Sequence, residues 1–110
     1  MTNTLSSKDR LIFALDVPDK SEAQRLVKLL RDSVGCFKVG LELFVREGPD
    51  ILKLIKDHSS AEIFLDLKLH DIPATVRGAL RSAAKLGVKY ITIHSTEGEA
   101  ILEASKEVKD

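Results

Sequence analysis

In the stretch FLDLKLHDIPAT, Phe64 to Thr75, charged residues interrupt an apolar, β-prone run: Asp66 and Lys68 lie inside it and Asp71 follows. Residues two apart on a strand share a face. Asp66 and Lys68 therefore join Phe64 on one side, while Ile63, Leu65 and Leu67 take the other. Asp16 at the end of LIFALD and Lys38 within CFKVG have the same character. Carboxylates and ammonium groups in balanced numbers suit a reaction in which negative charge develops on a substrate carbon. Lysines stabilise that charge and can donate a proton, and carboxylates position the lysines. No cofactor is implied by this set. Asp16, Asp66 and Glu42 could in principle hold a metal ion, but Lys38 in their midst competes for the carboxylates that a hard cation needs. Glu42 reads instead as the solvated start of a helix.

A purely architectural use of the same residues is an ion-pair network that fixes strand register. Asp71, a short acidic residue two before Pro73, has the makings of a helix cap. Neighbours on one strand face are roughly 7 Å apart, which sets Asp66 and Lys68 too far apart for a tight direct pair and gives each of them other partners. His94, at a strand end, reads first as a satisfied polar residue and only secondarily as a catalytic one.

The elements that position these residues repeat. The run Leu11 to Asp16 precedes KSEAQRLVKLLRDSVG, where Ala23, Leu26, Val27, Leu30 and Val34 recur at helical spacing, with Asp19 or Ser21 as N-cap and Gly35 as terminator. The second strand is Cys36 to Gly40. Its helical region runs from about Leu41 to His58, broken at Gly48 and Pro49. The third strand is Glu62 to Lys68, with a helix from near Asp71 carrying Val76, Leu80, Ala83 and Leu86 before Gly87. The fourth is Lys89 to His94, with a helix from about Glu97 carrying Ala100, Ile101, Ala104 and Val108.

Four β/α units in succession, with no hairpin signal, predict parallel strands joined by crossover helices. Both an open doubly wound sheet and an eight-stranded β/α (TIM) barrel use this grammar. Each strand here has one apolar face, for helices, and a second face with an ionisable residue at its C-terminal end. A barrel turns that second face inward and gathers the charges at the rim where active sites lie. An open sheet would bury them under helices, at several kcal/mol per unpaired ion. The pattern favours the barrel, but closure takes about eight strands. The expectation is a single segment, residues 1–110, forming the N-terminal (βα)4 half.

At 110 residues, 44% hydrophobic and 31% charged with no formal net charge, the composition is that of one globular domain. It lacks the basic excess that a nucleic-acid or membrane-surface partner calls for. MTNTLSSKDR is polar and has no signal-peptide flanks, so a cytoplasmic location is expected. The single cysteine, Cys36, excludes an internal disulfide and reads as a small buried apolar residue.

The motif DLKLHDIPAT resembles the D-x-K-x-x-D-I signature of the orotidine 5′-monophosphate (OMP) decarboxylase family, with Thr75 four after Asp71 also fitting. FALDVPDKSEA and FKVGLELF look like the first two strands of its bacterial form, and the resemblance runs from about Leu11 to the end of the chain. It implies an eight-stranded β/α barrel and a homodimer with shared active sites, converting OMP to UMP in pyrimidine biosynthesis without metal or organic cofactor. By the same resemblance Lys68 would protonate C6 of the pyrimidine once carbon dioxide has left. Asp66 would lie beside the substrate carboxylate, Lys38 would link ribose and Asp66, and Asp16 would bind ribose. Asp71 and Thr75 would reach into the partner's site.

The loops after the family's later strands, which supply its phosphate grip, have no counterpart in these four units. Remote phosphodianion binding helps such an enzyme reach its transition state, so the chain alone is expected to lack activity. Two alternatives stand beside this reading. One is a magnesium-dependent sugar-phosphate decarboxylase or synthase of the same superfamily, in which an acidic residue stands where this chain has Lys38. The other is a non-catalytic half-barrel module that self-associates or docks onto a missing half.

Overall fold

The computed structural model describes residues 6–95 and 98–109. A 3-10 turn, Lys8–Arg10, leads into strand β1 (Ile12–Ala14), and helix α1 (Lys20–Leu30) follows. Strand β2 (Cys36–Gly40) runs directly into α2 (Leu41–Glu47) and then α3 (Asp50–His58). Strand β3 (Glu62–Leu69), α4 (Pro73–Lys85), β4 (Tyr90–Ile93) and α5 (Glu99–Lys109) complete the order. The four strands form one parallel sheet in the order β1-β2-β3-β4. This is the alternating β/α architecture that the periodicity predicts.

Local chemistry accounts for most of the boundaries. Asp19 caps α1, its carboxylate accepting from the Glu22 amide at 3.0 Å, which satisfies one of the orphan donors of the first turn. Gly48 takes a φ of 69°, a left-handed conformation that ends α2, and Pro49 precedes the first turn of α3. Pro73 opens α4, where its missing N–H costs nothing. Glu97, expected at the start of the last helix, lies outside the described residues, as does the side chain of Ala104.

Two local expectations are corrected. Helix α1 ends at Leu30, so Gly35 does not terminate it. Gly35 instead lies where chain segments meet: its amide donates to Leu11 O and its carbonyl accepts from Glu62 N. A Cβ there would stand 2.8 Å from Asp9 Cα and 2.9 Å from Lys8 O, so close approach of the 3-10 turn is what requires glycine. Asp71 does not cap α4. The N-cap residue is Ile72, and the Asp71 carboxylate accepts from the Ile72 amide at 2.7 Å, ahead of the helix.

The main core fills one face of the sheet. Leu15, Phe37, Val39, Ile63 and Leu65 meet Ala23 and Val27 of α1, Leu43 of α2, and Ile51, Leu52 and Ile55 of α3, all buried. Each such aliphatic side chain contributes roughly 1.5–3 kcal/mol. A smaller cluster of Val76, Leu80 and Ile101 joins α4 to α5. On the opposite face, Ile12 and Tyr90 remain 52% and 48% exposed, and the Phe64 and Tyr90 rings lie 5.9 Å apart. The radius of gyration, 14.9 Å, exceeds the roughly 13 Å of a compact chain of this size, in keeping with a sheet covered on one side.

Candidate active site

Strand register brings Asp16 and Asp66 to one level, with Lys38 one inward rank before them. Ala14 pairs with Lys38 and Lys38 with Phe64, so the next inward positions are Asp16, Gly40 and Asp66. The β1–β2 pairing continues through Leu15 N to Lys38 O, which carries Asp16 just past the strand end. Gly40 leaves room beside it: a Cβ there would stand 3.7 Å from Asp16 Oδ1. Asp16 lines a hollow with Leu41 and Glu42, and Glu42 is exposed in the first turn of α2, as its sequence position implies.

Asp66 is the centre of the cluster and is only 8% exposed. Its Oδ2 accepts from Lys68 Nζ at 2.9 Å and faces Lys38 Nζ at 3.6 Å. Its Oδ1 accepts from the Thr92 hydroxyl at 2.7 Å. The Thr92 hydrogen bond, then that of Lys68, lowers the carboxyl below its ordinary value; burial opposes them, and the charges of Lys68 and Lys38 assist. Asp66 is thereby held as a carboxylate.

The direct Asp66–Lys68 pair corrects the expectation that strand spacing keeps them apart. Spacing of roughly 7 Å is a property of the backbone, whereas the lysine side chain is long enough to turn back. The backbone also departs from regular geometry here. Lys68 has a φ of 52°, and Leu65 to Leu69 on β3 is matched by only Ile91 to Ile93 on β4, a bulge in the ladder. Non-glycine residues in this region are uncommon and concentrate at functional sites.

Asp71 and Thr75 are exposed and stand outside the carboxylate cluster; together with Lys68 and His70 they line a hollow at the start of α4. His94, just past β4, stacks on His70 with ring centroids 4.8 Å apart, and its amide donates to Leu69 O. Neither His70 nor the hydrogen-bonding role of Thr92 was evident from periodicity. A register that sets β4 against β3, with Tyr90 opposite Phe64, would have pointed to Thr92, since it lies two past Tyr90 as Asp66 lies two past Phe64. Among the described residues, no group of three or more His, Cys, Asp or Glu is arranged to hold a metal ion. Cys36 is buried, and burial raises its thiol above the ordinary range.

The family model for the orotidine 5'-phosphate decarboxylase / HUMPS family matches residues 9–110. The chain belongs to this family. Among curated orotidine 5'-phosphate decarboxylases, that of Nostoc is 54% identical over 92% of the chain and that of Syntrophotalea carbinolica 46% over 94%. The chain spans 42% of the length of each. Among solved structures, an orotidine 5'-phosphate decarboxylase from Pyrococcus horikoshii matches 88% of the chain with a TM-score of 0.82 at 34% identity. The Methanocaldococcus jannaschii enzyme complexed with the inhibitor BMP matches 89%, also with a TM-score of 0.82, at 35% identity. These matches cover 47% and 45% of the respective solved chains. The decarboxylase-family fold is thus present as the N-terminal half of an eight-stranded β/α barrel.

Proposed function

We propose that this chain carries the charged half of an OMP decarboxylase site, forming UMP from OMP. The observation that supports it best is Asp66 held between Lys68 and Lys38 at the C-terminal rim of the sheet. When carbon dioxide leaves, the C–C bonding electrons remain on C6. The Lys68 ammonium, positioned by Asp66, then transfers a proton to that carbon. Asp66 lies beside the departing carboxylate, Lys38 bridges ribose and Asp66, and Asp16 binds ribose from its place beside Gly40. Asp71 and Thr75, exposed and outside the cluster, are suited to reach the partner's site in a homodimer. The reaction so assigned needs no cofactor, and the reading carries with it a cytoplasmic enzyme.

Lys38 favours this reading over the magnesium-dependent members of the superfamily. Its ammonium faces the same carboxylate oxygen as Lys68, where a cation would otherwise coordinate. The phosphate and most pyrimidine contacts come from later strands, so the 110-residue chain on its own is inactive. OMP turnover tests both points. The chain alone should give no UMP, and a fusion to the remaining strands of one of its relatives should restore turnover. Lys68→Ala in that fusion should lower turnover by about 10²–10⁴-fold, the range for general acid catalysis. Normal activity in the chain alone would refute its incompleteness, and a fusion indifferent to Lys68→Ala would refute the assignment.

The half-exposed Ile12 and Tyr90, with β1 and β4 at the sheet edges, favour the assembly module as a second reading. Gel filtration separates the two. A defined dimer that binds no nucleotide supports the module, and a stable monomer argues against it.

A further inference from the structure

The geometry points to Thr92 as the positioning residue of this site, its hydroxyl tying the Lys68 backbone to the Asp66 carboxylate. This rests on the decarboxylase reading and adds to it a residue that touches no reacting atom. Thr92 Oγ1 accepts from Lys68 N at 2.9 Å and contacts Asp66 Oδ1 at 2.7 Å. An amide N–H can only donate and an ionised carboxylate can only accept, so the hydroxyl proton has one place to go, toward Asp66. One side chain on β4 therefore orients two groups on β3.

Both groups need it. Lys68 sits in the left-handed region at the bulge, a conformation that is costly for a lysine and persists only where the surroundings hold it. The Thr92 hydroxyl accepts the N–H that the irregular ladder would otherwise leave without its regular partner. The direction of the Lys68 side chain follows from that backbone conformation. At the carboxylate, Thr92 takes Oδ1 while the lysines take Oδ2, which fixes the carboxylate plane and reserves one oxygen for the ammonium groups. The Thr92 bond is also the largest of the influences that keep Asp66 ionised.

The test is NMR on the 110-residue chain, following the Asp66 carboxyl carbon through a pH titration and the Lys68 amide by hydrogen exchange. Thr92→Val keeps the shape and removes the hydroxyl; Thr92→Ser keeps the hydroxyl. In Thr92→Val the Asp66 midpoint should rise and Lys68 amide exchange should quicken about tenfold, the scale of one hydrogen bond. Thr92→Ser should keep both near their wild-type values. No change in Thr92→Val, a change in only one readout, or a serine variant that behaves like valine overturns the proposal. If Thr92→Val fails to fold, the wild-type chain decides: a Lys68 amide that exchanges as fast as in an unstructured peptide overturns it, and a protected one supports it. No readout requires turnover, so this proposal and the decarboxylase reading can fail separately.

Discussion

On the helix-covered face of β3, Ile63 and Leu65 are each 1% exposed and are packed by aliphatic side chains from the helices. On the other face of the same strand, Phe64 is partly exposed beside Tyr90, and Asp66 is buried by hydrogen bonds and ions rather than by hydrocarbon. Adjacent residues thus belong to two different kinds of interior. The covered face is close-packed and tolerant of nothing but similar volumes. The other face offers directed polar groups and an uncovered apolar surface, so it contributes chemistry more than stability. A strand can serve both because its period of two keeps the demands apart.

The largest expected effect breaks the packing side of that comparison. Leu65→Ala should cost about 2–5 kcal/mol by leaving a cavity beside Phe44 of α2 and Ala83 of α4, a large share of the roughly 5–15 kcal/mol that holds a domain together. Tyr90→Ala, on the uncovered face, should cost below about 1 kcal/mol, since it removes only a partly exposed ring contact. Urea unfolding of both variants at two protein concentrations measures the contrast. Equal losses would show that the uncovered face is structural after all. A Tyr90→Ala loss that grows with protein concentration would mean that a second copy covers that face.

How far these two faces were legible in the sequence follows from how local their causes are. Glycine and proline at Gly48 and Pro49 break one helix and start the next by backbone sterics alone, and the limits of β2, Cys36 to Gly40, come from its own composition. Alternation also separates Asp66 from Leu65 correctly, because the period of a strand needs no partner. Gly35 is another matter. Its need for glycine arises from Lys8 and Asp9, far off in the chain, and nothing near Gly35 announces them. The left-handed Lys68 and the role of Thr92 depend on an offset between β3 and β4, which no single segment carries. The stacked pair of His70 and His94 is hidden for the same reason: each lies past the end of its own strand, and only the pairing of the strands brings the rings together. The charged centre was therefore readable in its members and not in its bonds.

An effect smaller than that of Leu65→Ala sharpens the polar side. Asp66 has a lowered pKa in the folded chain, caused first by the Thr92 hydrogen bond and then by Lys68. A group whose pKa is depressed on folding adds stability that is fully present above its unfolded value, near 3.9 for aspartate, and is lost as pH falls through the lower folded value. Asp66→Asn retains the shape but surrenders the charge, so it should cost about 1 kcal/mol at neutral pH. That difference from wild type should stay flat above about pH 5 and shrink steadily in acid, where the wild-type carboxylate itself takes up a proton. Chemical unfolding of both proteins between pH 7 and pH 2 tests the sign. A gap that widens in acid would mean that the Asp66 bonds favour the protonated form. The network would then be a neutral hydrogen-bonded scaffold, with no fixed negative charge to hold the two lysines at the rim.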